Sequence, residues 1–148
     1  MARYMALNMR ILILASMFFS QLALGDAASE IKYREGVMEV VGGHMHAIVA
    51  ILKGGVHGSD LKYHTRAMAN IAGIVPDVFP EGSGKGKTEA LAAIWEDKEA
   101  FAAAMDKFVK AADGIAMAGE SGNISDIGPA IKALGGSCKG CHDDYREE

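Results

Sequence analysis

The stretch that decides the fold is IGPAIKALGGSCKGCHDDYREE, residues 127–148. Its apolar positions recur in steps of three and four residues, which is the period of one face of an α-helix. These positions are Ile127, Ile131, Leu134, Cys138, Cys141 and Tyr145. Ser125 or Asp126 is the expected N-cap, and Pro129 is compatible with the first turn of a helix. The segment is therefore predicted to be an amphipathic helix.

The same spacing occurs in three earlier segments, and no strand-type alternation of useful length is found. Helices are predicted from Ser29 to Gly54, from Ser59 or Asp60 to Pro76, and from about Asp97 to Gly119. The apolar stripe of the first predicted helix is Ile31, Met38, Val41, Met45, Ile48 and Leu52. The stripe of the second is Leu61, His64, Met68, Ile71 and Val75, and that of the third is Phe101, Met105, Phe108, Ala112 and Ile115. Four such helices bury their stripes best against one another, so the predicted fold is all-α, an antiparallel four-helix bundle.

Residues 1–25 differ in composition from the rest of the sequence. Arg3 and Arg10 give a basic start, an apolar run follows from Ile11 to Phe19, and the small residues Ala23 and Gly25 suit a signal peptidase. The apolar run is short for a membrane span, which needs about 20 residues. We expect residues 1–25 to be a cleaved signal peptide and residues 26–148 to be one exported, periplasmic domain without a membrane span. A retained anchor or a buried first helix is the alternative.

The net charge of the chain limits the kinds of molecule that it is expected to bind. The chain has 15 Lys and Arg residues against 19 Asp and Glu residues. Both charges in the predicted signal peptide are basic, so its removal leaves 13 basic residues against 19 acidic ones, a net charge of −6. This balance argues against binding to nucleic acid or to an anionic membrane surface. It is compatible with docking to a protein that has a basic face.

Cys138, Cys141 and His142 form the motif C-x-x-C-H, the pattern of covalent attachment of c-type haem. Within one helical turn, each thiol can add to one vinyl group of the porphyrin, and the adjacent imidazole can bind the iron as proximal ligand. Two alternatives for the cysteines fit less well. A redox disulfide usually lies in a βαβ unit, and a zinc site would need a second pair of ligands from elsewhere in the chain. A structural disulfide is a further alternative in an exported protein.

A motif of this kind on the last helix of a predicted bundle resembles the class II cytochromes c, the family of cytochrome c′ and its low-spin relatives. The resemblance covers nearly the whole mature chain. It rests on IKYREGVM (31–38), FPEGSGKGKTEALAAIWED (79–97) and GGSCKGCHDDYR (135–146). It implies one covalently bound haem c on the C-terminal helix, with Cys138 and Cys141 as thioether attachments and His142 as proximal iron ligand.

Three further residues match positions of this family. Arg34 matches an arginine near the haem propionates, and a charged residue in an apolar stripe also calls for a buried anion. Its alternative is to extend into solvent. Arg146 matches a basic residue near the proximal side, although a cation is favoured at any helix C-terminus. Met38 matches the position that faces the open side of the haem, and Gly42-Gly43, one turn further, is expected to mark close approach of the haem.

The role of Met38 decides between two possible functions. With Met38 as sixth ligand, as in low-spin members, the protein would transfer single electrons between redox partner proteins, and this function is expected first. With Met38 as pocket wall, the iron would be five-coordinate and would bind small gases such as nitric oxide or carbon monoxide. Enzymatic activity is not expected, because no His/Arg pair is visibly placed on the distal face.

The sequence gives weaker indications of the positions of the other histidines and of the oligomeric state. His44 and His46 are expected at or near the surface, and His64 is a rival candidate for the iron. Class II bundles often form dimers through their first two helices. A homodimer is therefore one expected assembly, with Val37, Val40 and Val49 beside the stripe of the first helix, and a monomer is the alternative.

Overall fold

The computed structural model describes the backbone of residues 2–121 and 124–147, and the side chains of residues 27–121 and 125–147. The predicted signal peptide, residues 1–25, lies outside the residues whose side chains are described. The helices in chain order are α1 (Ala2–Gly54), α2 (Leu61–Ala72), α3 (Ala93–Glu96), α4 (Lys98–Ser121) and α5 (Ile124–Tyr145). Two 3₁₀ turns, Gly58–Asp60 and Val75–Val78, flank α2.

The helices α1, α2, α4 and α5 form the antiparallel four-helix bundle that the sequence predicted. α2 packs between α1 and α4, and α4 also packs along α5. Within the described residues the only β-type pairing is one antiparallel bridge between Ala90 and Arg146. The predicted stripe of α4 is buried throughout: Phe101, Met105, Phe108, Ala112 and Ile115. Burial of a large side chain of this kind is worth about 1.5–3 kcal/mol, so this stripe anchors the core.

The stripe of α1 was only partly predicted, because this helix has two apolar faces. Val37 and Ile51 are buried in the core, although neither was placed in the stripe. Met38 and Met45 are only partly buried. Val37 was expected beside a homodimer surface, but it is 6% exposed and belongs to the core, whereas Val40 is 46% exposed.

α2 is shorter than predicted and packs through a different residue. It ends at Ala72, and Pro76 lies within the following 3₁₀ turn. Thr65 is fully buried on α2, while His64 is only partly buried. A Cβ added at Gly119 would lie 2.1 Å from Oγ1 of Thr65. α2 and α4 therefore approach closely here because Gly119 has no side chain.

The N-terminus of α5 also differs from the expectation. The helix begins at Ile124, so Ser125 and Asp126 lie inside its first turn and are not its N-cap. Pro129 accordingly lies inside the helix, beyond the first turn. The missing N–H of a proline at such a position removes one helical hydrogen bond.

One described helical stretch, Ala27–Gly54, has the length expected of a membrane span, and an 18-residue window within it has a mean hydropathy of 1.2. It is the part of α1 that contributes Val37, Val41 and Ile48 to the hydrophobic core. Core helices of soluble proteins and signal sequences near an N-terminus meet the same criterion, so it does not by itself indicate a membrane span.

Candidate haem site

A cavity of about 640 Å³ is bounded by α1 on one side and α5 on the other. The two helices approach at Gly135, where an added Cβ would lie 3.5 Å from Cε of Met45. In the described part of the chain they do not pack along the rest of their length. Val75, Phe101 and Phe108 contribute to the apolar wall between them. The volume lies within the range of about 300–1,000 Å³ that is usual for pockets that hold cofactors and other small molecules.

All six residues that the sequence singled out line this cavity. They are Arg34, Met38, Cys138, Cys141, His142 and Arg146. Gly42 also lines it, whereas Gly43 is exposed and is not among the lining residues. The fold thus brings together residues more than one hundred positions apart, because α1 and α5 run antiparallel on opposite sides of the same space.

The two thiols are free and half-buried on the cavity side of α5. Burial raises the pKa of Cys138; burial first, and then the negative charges of Cys138 and Asp144, raise the pKa of Cys141 to about 11. Both thiols are therefore protonated at neutral pH, unlike the activated thiolates of redox motifs and zinc sites. No group of three or more His, Cys, Asp or Glu side chains that could hold a metal ion is found among the described residues. The redox and zinc alternatives gain no support from this environment.

His142 lies on the rim of the cavity, and its side chain is largely exposed. Partial burial first, and the positive charge of Arg146 second, lower the pKa of His142, and Asp143 opposes the shift. A neutral imidazole has a free nitrogen lone pair, so it can bind a metal without first losing a proton. Cys138, Cys141 and His142 could therefore hold a haem in this cavity.

Arg34 is buried, so the alternative in which it extends into solvent is wrong: the residue is 4% exposed. Its Nη1 donates to Oγ of Ser83 over 3.0 Å and to the carbonyl of Val78 over 3.4 Å. Its Nη2 donates to the carbonyl of Ser83 over 3.1 Å and to Oγ1 of Thr88 over 2.8 Å. These acceptors are all neutral oxygens, so the hydrogen bonds orient the guanidinium without neutralising its charge.

Two aromatic rings lie next to the same guanidinium. Cζ of Arg34 is 5.1 Å from the ring centre of Phe79 and 6.0 Å from that of Trp95. Burial lowers the pKa of Arg34, and the charges of Glu35 and Glu30 oppose the shift. An arginine remains protonated even when it is buried, so a positive charge is fixed at the edge of the cavity. That position suits an anionic group of a molecule in the cavity.

Arg146 is held at the opposite edge by Glu89, a residue that the sequence did not single out. Oε2 of Glu89 lies 2.7 Å from Nη2 and 2.8 Å from Nε of Arg146. The backbone N–H of Leu91 donates to the carbonyl of Tyr145 over 3.0 Å, and that of Glu147 donates to the carbonyl of Glu89 over 2.7 Å. Glu89 lies in a loop without helical periodicity, so its contact with Arg146 could not be predicted from the sequence.

The segment 78–91, called here the strap, therefore contacts both sides of the cavity. Through Val78, Ser83 and Thr88 it binds Arg34 of α1, and through Glu89 it binds Arg146 after α5. Nε1 of Trp95 donates to the carbonyls of Phe79 and Pro80, both over 3.1 Å, and thereby fixes the strap to α3.

His64, the rival candidate for the iron, is not among the residues that line the cavity. It lies between α1 and α2, where its Nδ1 is 3.0 Å from Nδ1 of His44. His46, which was expected at the surface, is exposed and also lies on the edge of the cavity.

A comparison with known proteins decides the family. The sequence profile of the family described as "Cytochrome C'" matches residues 29–146. The chain belongs to the cytochrome c′ family. Its cofactor is accordingly covalently bound haem c, as the C-x-x-C-H motif predicted.

Individual relatives agree with this assignment. A cytochrome c′ from Pararhodospirillum photometricum is 40% identical over 119 residues, which cover 79% of this chain and 95% of the relative. A cytochrome c-556 from Agrobacterium fabrum is 36% identical, with 90% of this chain and 93% of the relative covered.

Solved structures of cytochromes c′ have the same fold. The cytochrome c′ from Shewanella frigidimarina matches with a TM-score of 0.78 and 34% identity, over 82% of this chain and 97% of that one. A nitric oxide complex of a cytochrome c′ variant from Alcaligenes xylosoxidans matches with a TM-score of 0.76 over 82% of this chain and 97% of that one. Its identity is 22%, so the second likeness shows the fold alone.

Proposed function

We propose that this cytochrome c′-family protein binds small neutral gases, such as nitric oxide or carbon monoxide, at a five-coordinate haem iron. In this proposal Cys138 and Cys141 are the thioether attachments, and His142 is the proximal ligand. When bound, the haem supplies an iron with one open coordination position. The sequence placed electron transfer first, with Met38 as sixth ligand, but the match to the cytochrome c′ family supports gas binding better.

The wall that α1 presents to the cavity is the observation that carries the proposal. Met38, Val41 and Met45 line the cavity opposite the attachment motif on α5; Val41 belongs to the hydrophobic core, and the two partly buried methionines pack against it. A thioether that is packed in this way fills space as any core methionine does. These three apolar side chains disfavour water and charged ligands where they line the cavity, whereas a neutral diatomic molecule loses little solvation on entering.

The charged residues at the cavity edges have positioning roles in the same proposal. The buried guanidinium of Arg34, oriented by Ser83 and Thr88, would pair with the propionates of the haem and so position the cofactor. Arg146, held by Glu89, lies beside His142; burial is the first cause that lowers the pKa of the imidazole, and the positive charge of Arg146 is the second.

The nitric oxide complex of the Alcaligenes xylosoxidans protein is consistent with gas binding in a bundle of this fold. Since that likeness supports the fold alone, the proposal depends on the family and on the cavity wall. We further propose that residues 1–25 direct export to the periplasm and are then removed, in agreement with the apolar composition of this segment.

Optical spectra of the purified holoprotein test the proposal. We expect high-spin haem in both the ferric and the ferrous state, and direct binding of carbon monoxide to the ferrous protein. Met38→Ala should leave the spin state unchanged, as should the matched variant Met45→Ala from the same wall. A low-spin ferric spectrum that Met38→Ala converts to high-spin, while Met45→Ala does not, would contradict the proposal and establish Met38 as the sixth ligand.

A further inference from the structure

Two imidazoles meet on the face where α1 and α2 pack together, away from the haem cavity. Nδ1 of His44 lies 3.0 Å from Nδ1 of His64, with the ring centres 5.3 Å apart and the rings tilted by 59°. Both side chains are partly exposed. The ring of Tyr63 meets both imidazoles edge-on, at 6.3 Å from His44 and 5.3 Å from His64.

We propose that His44 and His64 form a binding site for a late first-row divalent metal ion, and that Cu²⁺ fits it best. Imidazole nitrogen is a preferred ligand of such ions, and Cu²⁺ binds most tightly in the series. At metal–nitrogen distances of about 2.0–2.1 Å, two nitrogens 3.0 Å apart subtend an angle of about 95° at the metal. Neighbouring positions of a square-planar ion are separated by about 90°, whereas a tetrahedral ion would need nitrogens about 3.4 Å apart.

The protonation state of the two imidazoles is compatible with metal binding. Two nitrogens at this distance share a single proton in an N–H···N hydrogen bond, so one Nδ1 carries the proton and the other offers its lone pair. A metal ion between them replaces that hydrogen bond. The donor ring then moves its proton from Nδ1 to Nε2, both rings stay neutral, and no net proton is released.

The surroundings of the pair disfavour a charge on His44 and leave the metal open to solvent. Burial first, and the charge of His64 second, lower the pKa of His44, so this ring is neutral at physiological pH. The described residues provide no third His, Cys, Asp or Glu side chain to complete a metal site. Water therefore fills the remaining positions of the metal, which is sterically feasible because both imidazoles are partly exposed.

Calorimetric titration of the oxidised holoprotein with Cu²⁺ tests the site, because it measures affinity and stoichiometry without relying on haem function. We expect one Cu²⁺ per chain at this site, with Ni²⁺ weaker and Zn²⁺ weakest. His44→Ala and His64→Ala should each weaken binding by roughly tenfold or more, and the double variant should bind no more weakly than either single one. His57→Ala, in the turn after α1, is the matched control and should bind as the unchanged protein does.

Thermal unfolding gives a second readout that also detects a folding defect. Cu²⁺ should raise the unfolding temperature of the unchanged protein by several degrees, because only the folded chain holds the two rings together. His44→Gln and His64→Gln should fold, with an unaltered haem spectrum, and lose this shift. Unchanged Cu²⁺ affinity in these variants, or no Cu²⁺ binding in the unchanged protein, would overturn the proposal while leaving the haem function untouched.

Discussion

The buried guanidinium of Arg34 donates a hydrogen bond of 3.0 Å to the hydroxyl of Ser83, which is itself 1% exposed. That hydroxyl in turn donates to the carbonyl of Pro80 over 2.8 Å. Arg34 therefore shapes the strap from within, in addition to presenting a positive charge to the cavity. Its role in stability can be measured separately from any role towards the haem.

Replacing Arg34 with methionine should destabilise the folded protein. Arg34→Met keeps much of the side-chain length but leaves the carbonyls of Val78 and Ser83 without the guanidinium as donor, whereas Oγ1 of Thr88 still accepts from the backbone N–H of Ala90. Unsatisfied buried acceptors of this kind cost about 1–3 kcal/mol each, so we expect a loss of about 2–4 kcal/mol in the free energy of unfolding. Urea denaturation of the holoprotein, followed by helical circular dichroism, measures it.

Arg66 of α2 provides the control for this variant. It forms an exposed ion pair with Glu120, and such pairs contribute little. Arg66→Met should therefore leave the urea midpoint nearly unchanged. Equal losses in both variants would show that the hydrogen bonds of Arg34 to the strap carry no special stability.

Adding one methyl group at Gly119 should destabilise the bundle by at least about 2 kcal/mol, since it would collide with Thr65. Gly114 lies on the same helix with nothing within 4 Å of an added Cβ, so Gly114→Ala should stabilise the protein by about 0.5–1 kcal/mol through helix propensity. Thermal unfolding of both variants makes the comparison. In the double variant Gly119→Ala/Thr65→Ala, the loss should be smaller than the sum of the two single losses, because the clashing hydroxyl and methyl are gone.

Removing the cysteines should release the haem from covalent attachment. Cys138→Ala/Cys141→Ala should yield a chain without haem that survives denaturing electrophoresis, detected by haem staining. Each single variant should retain one thioether bond. Its alkaline haemochrome band should be shifted relative to that of the unchanged protein, since one vinyl group remains unreacted. Ser137→Ala, next to the motif, is the control and should stain normally. Full staining of the double variant would contradict the assigned attachment.

The stability of the protein should depend on pH through His44. Its pKa is lowered in the folded state by burial and by His64, so the unfolded chain binds more protons as the pH falls below about 6.5, the ordinary value of histidine. This contribution to stability is present above that value and is lost at lower pH. Urea denaturation at pH 7.5 and 5.5 should show a smaller fall for His44→Gln than for the unchanged protein. An identical fall in both proteins would exclude His44 as a source of the pH dependence, and His57→Gln serves as the control.

The apolar stripe of α4 was predicted well. Phe101, Met105 and Phe108 of α4 are all buried as predicted, because a single period of three and four describes a helix with one apolar face. The same reasoning placed Met38 and Val41 in one stripe, although only Val41 belongs to the buried core. On α1, Val37 and Ile51 are buried beside the predicted stripe, and one-dimensional spacing does not separate these two apolar faces.

The proposed attachment motif could be recognised because its residues are adjacent in the sequence, whereas the contacts around it could not be predicted. Ser83, Thr88 and Glu89 lie in a loop without periodicity, so their contacts with Arg34 and Arg146 depend on how the strap folds. The pairing of His44 with His64 depends on the register of α1 against α2. That register is set by the turn after α1, in which His57 has a left-handed backbone with φ of 51°.

The strap also bears on the order of folding. The α2–α4 and α4–α5 contacts join helices that follow one another in the bundle, whereas Arg34 meets Thr88 across 54 residues and Glu89 meets Arg146 across 57. Contacts between distant residues require closure of long loops and tend to form late. We therefore expect the helices that follow one another in the bundle to associate first, while the strap is not yet attached to α1 and α5. During that interval the cysteines of α5 face an open groove, so the half-folded chain is the form in which a large flat ring reaches them most easily.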